Sequence, residues 1–136
     1  MTPIQQLMLG AGGAAKKTYI DDVFSTYLYA GDGASSKAIN NGLNLSGEGG
    51  LTWVKGRSDN DSHYLLDTVR GANKTLDTSS QNGQATPTDV LTAFNSNGFT
   101  LGGSGNTNNI GNTYSSWTFR KAKGFFDVVT WTGTGQ

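Results

Sequence analysis

Residues 90–101 read VLTAFNSNGFTL, two short β-prone runs on either side of Asn97-Gly98. Asn-Gly tolerates the positive φ values of a tight hairpin turn, so the stretch predicts two antiparallel strands and not a helix. The same pattern recurs to both sides. Residues 22–29 (DVFSTYLY), 51–57 (LTWVKGR), 63–69 (HYLLDTV), 74–78, 114–120 (YSSWTFR) and 125–132 (FFDVVTWT) concentrate β-branched and aromatic residues between turn formers. Residues 79–88, where Pro87 opposes regular structure, and residues 102–112 read as polar loops. No helical period of useful length follows residue 10. The expected fold is all-β: an antiparallel β-sandwich of jelly-roll type built from about eight strands.

Composition narrows the possibilities. The chain has 136 residues, enough for one domain with its own core. Its 20 glycines suit many turns, while three Trp, five Tyr and six Phe argue against disorder. Formal net charge is zero, which leaves no basic excess to neutralise phosphates, so nucleic acid is not an expected partner. There is no cysteine, hence no disulfide and no thiolate zinc site. No apolar run approaches the ~18 residues of a membrane span, and residues 1–9 lack the basic start of a secretion signal.

Both ends carry features of their own. Residues 1–9 (MTPIQQLML) place Ile4, Leu7 and Met8 at i, i+3, i+4 spacing, a single short apolar face. Residues 10–17 (GAGGAAKK) read as a flexible linker. Residues 1–17 are therefore either a terminal turn packed on its own domain or a docking arm that orders against a partner. The β-sandwich module is expected over residues 18–123. Residues 126–135 (FDVVTWTGTG) repeat the pattern of residues 24–33 (FSTYLYAGDG): an aromatic start, a β-rich middle, an aromatic sixth position and a final Gly-x-Gly. Residues 124–136 are thus either the last strand or the start of a second, truncated module.

Catalytic and metal signatures are sparse. His63 is the one histidine and Glu48, among glycines, the one glutamate. No G-x-S-x-G elbow or phosphate loop occurs, and residues 10–18 miss the spacing of the latter. A solvated or strand-facing His63 and a Glu48 in a turn are expected. Asp59 and Asp61, in SDNDS, offer a candidate Ca²⁺ position, but the EF-hand spacing is missing and a solvated turn is the expected reading. The amides of residues 106–112 (NTNNIGN) could contact sugars, although an ordinary hairpin loop explains them. Asp67 lies in a strand pattern where a carboxylate needs a partner. A structural ion pair with Arg57 or Arg70 is expected. Trp53, Trp117 and Phe119 are expected in the core. No cofactor is expected.

Three segments together resemble a known family. They are GLTWVKGRSDNDSHYLLDTVRGANKTL (residues 50–76), AFNSNGF (93–99) and NNIGNTYSSWTFRKA (108–122). They resemble repeated modules of marine and cyanobacterial phage structural proteins, described as tail-fibre or virion proteins. Those modules are similar to the concanavalin or laminin-G jelly roll. The pattern falls on Trp53, Lys55 and Arg57, on residues 67–71, on residues 97–99, and on Asn109, Gly111, Tyr114 and Trp117. The opening TPIQQLMLG followed by KKTYIDDVFSTYLY is also similar to the start of such proteins. The resemblance implies a virion location, repeated modules and a homotrimer, and it does not imply an enzyme. The apolar face and linker of residues 1–17 make docking on other virion proteins the expectation, with assembly in the host cytoplasm, and the sparse catalytic signatures make the expected protein non-enzymatic. The expected function is the N-terminal attachment part of a tail fibre or similar appendage. Alternatives are a module that binds host surface glycans and a capsid decoration protein. A depolymerase would need a carboxylate pair, for which the sequence offers no distinctive context.

Overall fold

A computed structural model describes residues 16–135. One helical turn, α1 (Ile20–Val23), leads into β1 (Phe24–Ala30), β2 (Lys37–Asn40), α2 (Leu45–Glu48) and β3 (Gly50–Gly56). Then come β4 (Tyr64–Asp67), β5 (Leu76–Asp77), β6 (Leu91–Asn95), β7 (Gly98–Leu101), α3 (Gly105–Asn108) and β8 (Thr113–Arg120). Five strands form one sheet in the order β1-β8-β3-β4-β5, and three form the other in the order β2-β7-β6. Every pairing is antiparallel. The protein is an all-β sandwich with single helical turns in its connections.

The inner faces follow the period of two that strands impose. Along β3, buried Gly50, Thr52, Val54 and Gly56 alternate with half-buried Leu51, Trp53 and Lys55. Val54, Leu66 and Tyr114 from the large sheet meet Ile39, Phe99 and Leu101 from the small one. Burying an aliphatic or aromatic side chain of this size stabilises the fold by about 1.5–3 kcal/mol. The polar groups between the sheets satisfy one another. The Thr52 and Thr118 hydroxyls lie 3.0 Å apart, and Asn41 Nδ2, from the segment after β2, donates to Thr118 Oγ1 at 2.9 Å.

The predicted hairpin forms between β6 and β7, one residue away from its expected turn. Asn95 pairs with Gly98, so Ser96 and Asn97 make the turn, and neither takes a positive φ. Gly98 is needed for a different reason. Its φ is +136°, and a Cβ there would run into the carbonyl oxygen of Ile39 on β2. The short, mixed sequence KAIN gives little strand signal, and β2 forms because β7 offers it a ladder.

Two further differences follow from local geometry. The strand expected over 22–29 begins at Phe24, because Ile20–Val23 form a turn in which the Tyr19 amide donates to Asp22 Oδ2 at 2.9 Å. The strand expected over 125–132 is absent, so residues 124–135 are not the last strand of this sandwich. Both sides of β8 are occupied, by β1 and β3, and leave no edge for the chain that follows it. Gly124, at φ +77°, instead turns the chain onto the outer face of the large sheet, where Phe126 stacks on Phe119 at 5.2 Å.

Candidate functional site

The outer face of the five-stranded sheet carries the most concentrated aromatic surface. Register places Phe24, Phe119 and Leu51 in one row across β1, β8 and β3, and Thr26, Trp117, Trp53 and Leu65 in the next. Trp53 and Trp117 face each other with ring centroids 5.2 Å apart and an interplanar angle of 46°. This corrects the expectation that Trp53, Trp117 and Phe119 lie in the core: each is half-buried, on the face opposite Thr52 and Thr118. Both faces of β3 and β8 carry apolar or β-prone residues, so alternation alone does not say which face is inward. Tyr114 settles it, because its hydroxyl reaches the buried loop described next. The Trp53 Nε1 is buried without a hydrogen-bond partner. Exposed Leu28 and half-buried Lys55 lie beyond the indoles, and residues 126–131 cross the opposite end of the face.

At one end of the sandwich, polar side chains fasten loops to one another. Asn108 is fully buried. Its Nδ2 donates to Asp32 Oδ1, to the Ala34 carbonyl and to the Gly102 carbonyl at 3.0–3.1 Å, while its Oδ1 accepts the Asp32 amide at 3.0 Å. Tyr29 and Tyr114 stack at 5.2 Å, and their hydroxyls donate to the carbonyls of Thr107 and Gly105. Burial pushes both phenols above their usual range. Asn106 Nδ2 donates to the Tyr64 hydroxyl at 2.7 Å, and Asn112 Nδ2 donates to Asp59 Oδ2. The amides considered as sugar contacts are therefore mostly engaged within the fold, and Asn109 is the one at the surface. Asp32 is held down to about 2 by the Lys37 ammonium at 2.8 Å, with the Ala34 amide adding to the effect.

Asp59 also accepts the Asp61 amide at 3.2 Å. Partial burial and the neighbouring Asp59 raise the Asp61 carboxyl above its ordinary range. Among the described residues no third acidic or histidine side chain joins the two, so their geometry is that of a braced loop.

Asp67 is buried, and its partner is Arg70. Arg70 Nε donates to Asp67 Oδ2 at 2.5 Å and the Arg70 amide to Oδ1 at 2.8 Å, while another guanidinium nitrogen reaches the Leu65 carbonyl at 3.1 Å. Arg57 takes no part, which corrects its place in the expected ion pair. Leu51 is the residue of β3 opposite Asp67, and Arg57 lies six residues further on, about 20 Å along the strand. Glu48 sits 3.7 Å from Arg120, and the His63 carbonyl accepts from Thr78. Ile4, Leu7 and Met8 lie outside the described residues. Among the described residues no helix is long and apolar enough to cross a membrane.

Residues 20–136 match the model of a family described as a domain of unknown function, DUF7483. No curated protein and no solved structure matches the chain.

Proposed function

The chain belongs to the DUF7483 family, and we propose that it is a structural module of a phage virion, placed at the attachment end of a tail fibre or similar appendage. The likeness of its Trp53–Lys55–Arg57 and Asn109–Gly111–Tyr114–Trp117 elements to phage modules supports the virion assignment. One structural observation carries the non-enzymatic, structural part. Asn108, Asp67, Asp59 and Asp32 are the polar groups that a catalytic or metal-binding reading would recruit, and each braces a loop or turn. Groups held this way rigidify a module. In this reading the jelly-roll likeness is to concanavalin and laminin-G modules. Residues 1–17, with Ile4, Leu7 and Met8, dock on another virion protein, and the module assembles as a homotrimer.

Mass spectrometry of purified particles from the phage that encodes the chain tests the assignment. Its peptides are expected in stoichiometric amounts, and their absence sinks the proposal. Immunogold labelling of the same particles separates a fibre from a capsid decoration protein, since the two place the label on the tail and on the head. Light scattering of the purified protein tests the trimer.

A second reading, binding of a host surface glycan, is favoured by the outward-facing Trp53–Trp117 pair. Half-exposed indoles on a sheet can stack on sugar rings. A glycan array probed with and without Ca²⁺ tests it. Binding that disappears in Trp117→Ala supports the reading, and an array with no binding removes it.

A further inference from the structure

We infer that the open part of the outer face binds an acidic polysaccharide, with sugar rings on the Trp53–Trp117 pair and their carboxylate or sulfate groups on Lys55 and Arg57. The inference rests on the glycan reading of this face and fixes the class of its ligand.

Alternation along β3 puts the aromatic and the two cations on one side. Leu51, Trp53 and Lys55 are its half-buried, outward positions. The Arg57 amide donates to the Thr113 carbonyl at 2.7 Å, which carries the ladder and its period one residue past Gly56. Trp53, Lys55 and exposed Arg57 therefore follow one another along the face at intervals of about 7 Å. Across the strands, Trp53 stands opposite Trp117 and Lys55 opposite Ser115, which in turn stands opposite exposed Leu28. The hollow beneath residues 128–131 is lined by Leu51, Leu65 and Leu76 and by neither Trp53 nor Trp117, so that segment leaves the indole pair open.

The cations on this face have no acid to answer them. Among the described residues neither Lys55 nor Arg57 lies within ion-pair distance of a carboxylate. The Lys55 ammonium donates to the Gly56 carbonyl at 2.8 Å, which leaves two of its three donors free. The acids close by are already placed. Asp67 is matched by Arg70, and Asp127, on the segment that crosses the far end, by Lys121. Asp59 lies over Gly56, an inward position of β3, and Asp61 is beside it. Indoles next to unmatched cations suit a ring that carries a negative group: the ring face stacks, and the anion takes charge-assisted hydrogen bonds. A single-stranded nucleic acid also combines rings with anions, but it needs a groove of cations that tracks its backbone. Lys55 and Arg57 are two cations on one strand, in a chain of zero net charge.

The test measures binding of the 136-residue chain to polygalacturonate, dextran sulfate and uncharged dextran by calorimetry. At about 20 mM salt at least one acidic polymer is expected to bind about tenfold or more tighter than dextran, and the margin should shrink as salt rises to about 500 mM. Lys55→Gln combined with Arg57→Gln should abolish the margin at an unchanged melting temperature, and Trp117→Ala should weaken binding of the acidic polymer. Dextran bound as tightly as the acidic polymers overturns the inference and leaves the glycan reading standing. If neither acidic polymer binds, the inference is overturned, and the glycan array shows whether the reading beneath it falls too. Acidic-polymer binding that survives the double variant or Trp117→Ala also overturns it, as does tighter binding of a thymidine oligonucleotide.

Discussion

Asp32 and Asn108 are 76 residues apart and bond to each other twice: the Asp32 amide donates to Asn108 Oδ1 at 3.0 Å, and Asn108 Nδ2 donates to Asp32 Oδ1 at 3.1 Å. The pair joins the turn after β1 to the segment before β8. Since β1 and β8 are neighbours in the large sheet, it closes the sandwich at the point where the two ends of the module meet.

Asn108→Ala is expected to cost about 3 kcal/mol, because it leaves the buried Gly102 carbonyl, the Ala34 carbonyl and the Asp32 amide without partners. Asn108→Asp should be no milder at neutral pH, since it replaces a donor with a charge facing Asp32. Urea unfolding of the two variants measures this. A loss under ~1 kcal/mol for Asn108→Ala would show that water takes over these bonds.

Asp32 gives the module an acid-sensitive step. Its carboxyl is held at about 2, against an ordinary value near 4, first by the Lys37 ammonium and then by the Ala34 amide. A carboxyl depressed in the folded state stabilises the fold above its unfolded value and loses that contribution as pH falls from about 4 to about 2. Asp77, lowered to about 2 by the Ser79 hydroxyl and amide, acts in the same window. Stability measured from pH 5 to about 1.5 should drop most steeply there, and the drop should be shallower in Asp32→Asn. Identical slopes in the two proteins would rule Asp32 out as a contributor.

The two arginines considered as partners for Asp67 separate cleanly. Arg70→Met leaves a buried carboxylate without its ion pair and is expected to cost about 3–5 kcal/mol. Replacing Asp67 in the same chain with Asn should recover part of that loss. Arg57→Met changes an exposed side chain and is expected to stay within ~0.5 kcal/mol. Equal effects from both arginine variants, read by chemical denaturation, would contradict this account.

Spontaneous deamidation should also be selective. Asn-Gly occurs at residues 41–42, 82–83 and 97–98. In this reaction the glycine nitrogen attacks the asparagine Cγ and expels ammonia, and water then opens the ring. Asn41 is tethered at both side-chain ends, to the Leu43 amide and to Thr118, and Gly98 is clamped between β2 and β6. Asn82 and Gly83 are exposed, with open space around the glycine. Peptide mapping after mild alkaline incubation should find Asn82 converted at least about tenfold faster than Asn41 or Asn97, since those two need local opening first. Faster reaction at either of them would refute the assignment.

Much of the sandwich was legible in local pattern. The strands around Trp53, Phe94, Phe99 and Tyr114 all stand out through β-branched and aromatic residues between turn formers. Asp67 was legible as a carboxylate in need of a cation, because a charge in a strand has few ways to be satisfied. Less was visible of the candidate outer face. Trp53 and Trp117 look like core residues because hydrophobicity favours burial, and only the inward pull of Tyr114, Thr52 and Thr118 turns the indoles outward. The buried role of Asn108 was hidden for a similar reason: an asparagine in a polar loop looks like any other until four hydrogen bonds, to Asp32, Ala34 and Gly102, converge on it.

By itself the sequence determined that the chain is an all-β protein, where most strands lie, and that residues 126–135 echo residues 24–33, because period and turn chemistry are local properties. Tertiary structure alone decided which face of each strand is inward, that Arg70 and not Arg57 meets Asp67, that Gly98 serves the approach of β2, and that the chain after β8 lies over a sheet instead of within it. Each of these depends on which strands become neighbours, and register between residues far apart in the chain is set by packing that no local pattern encodes.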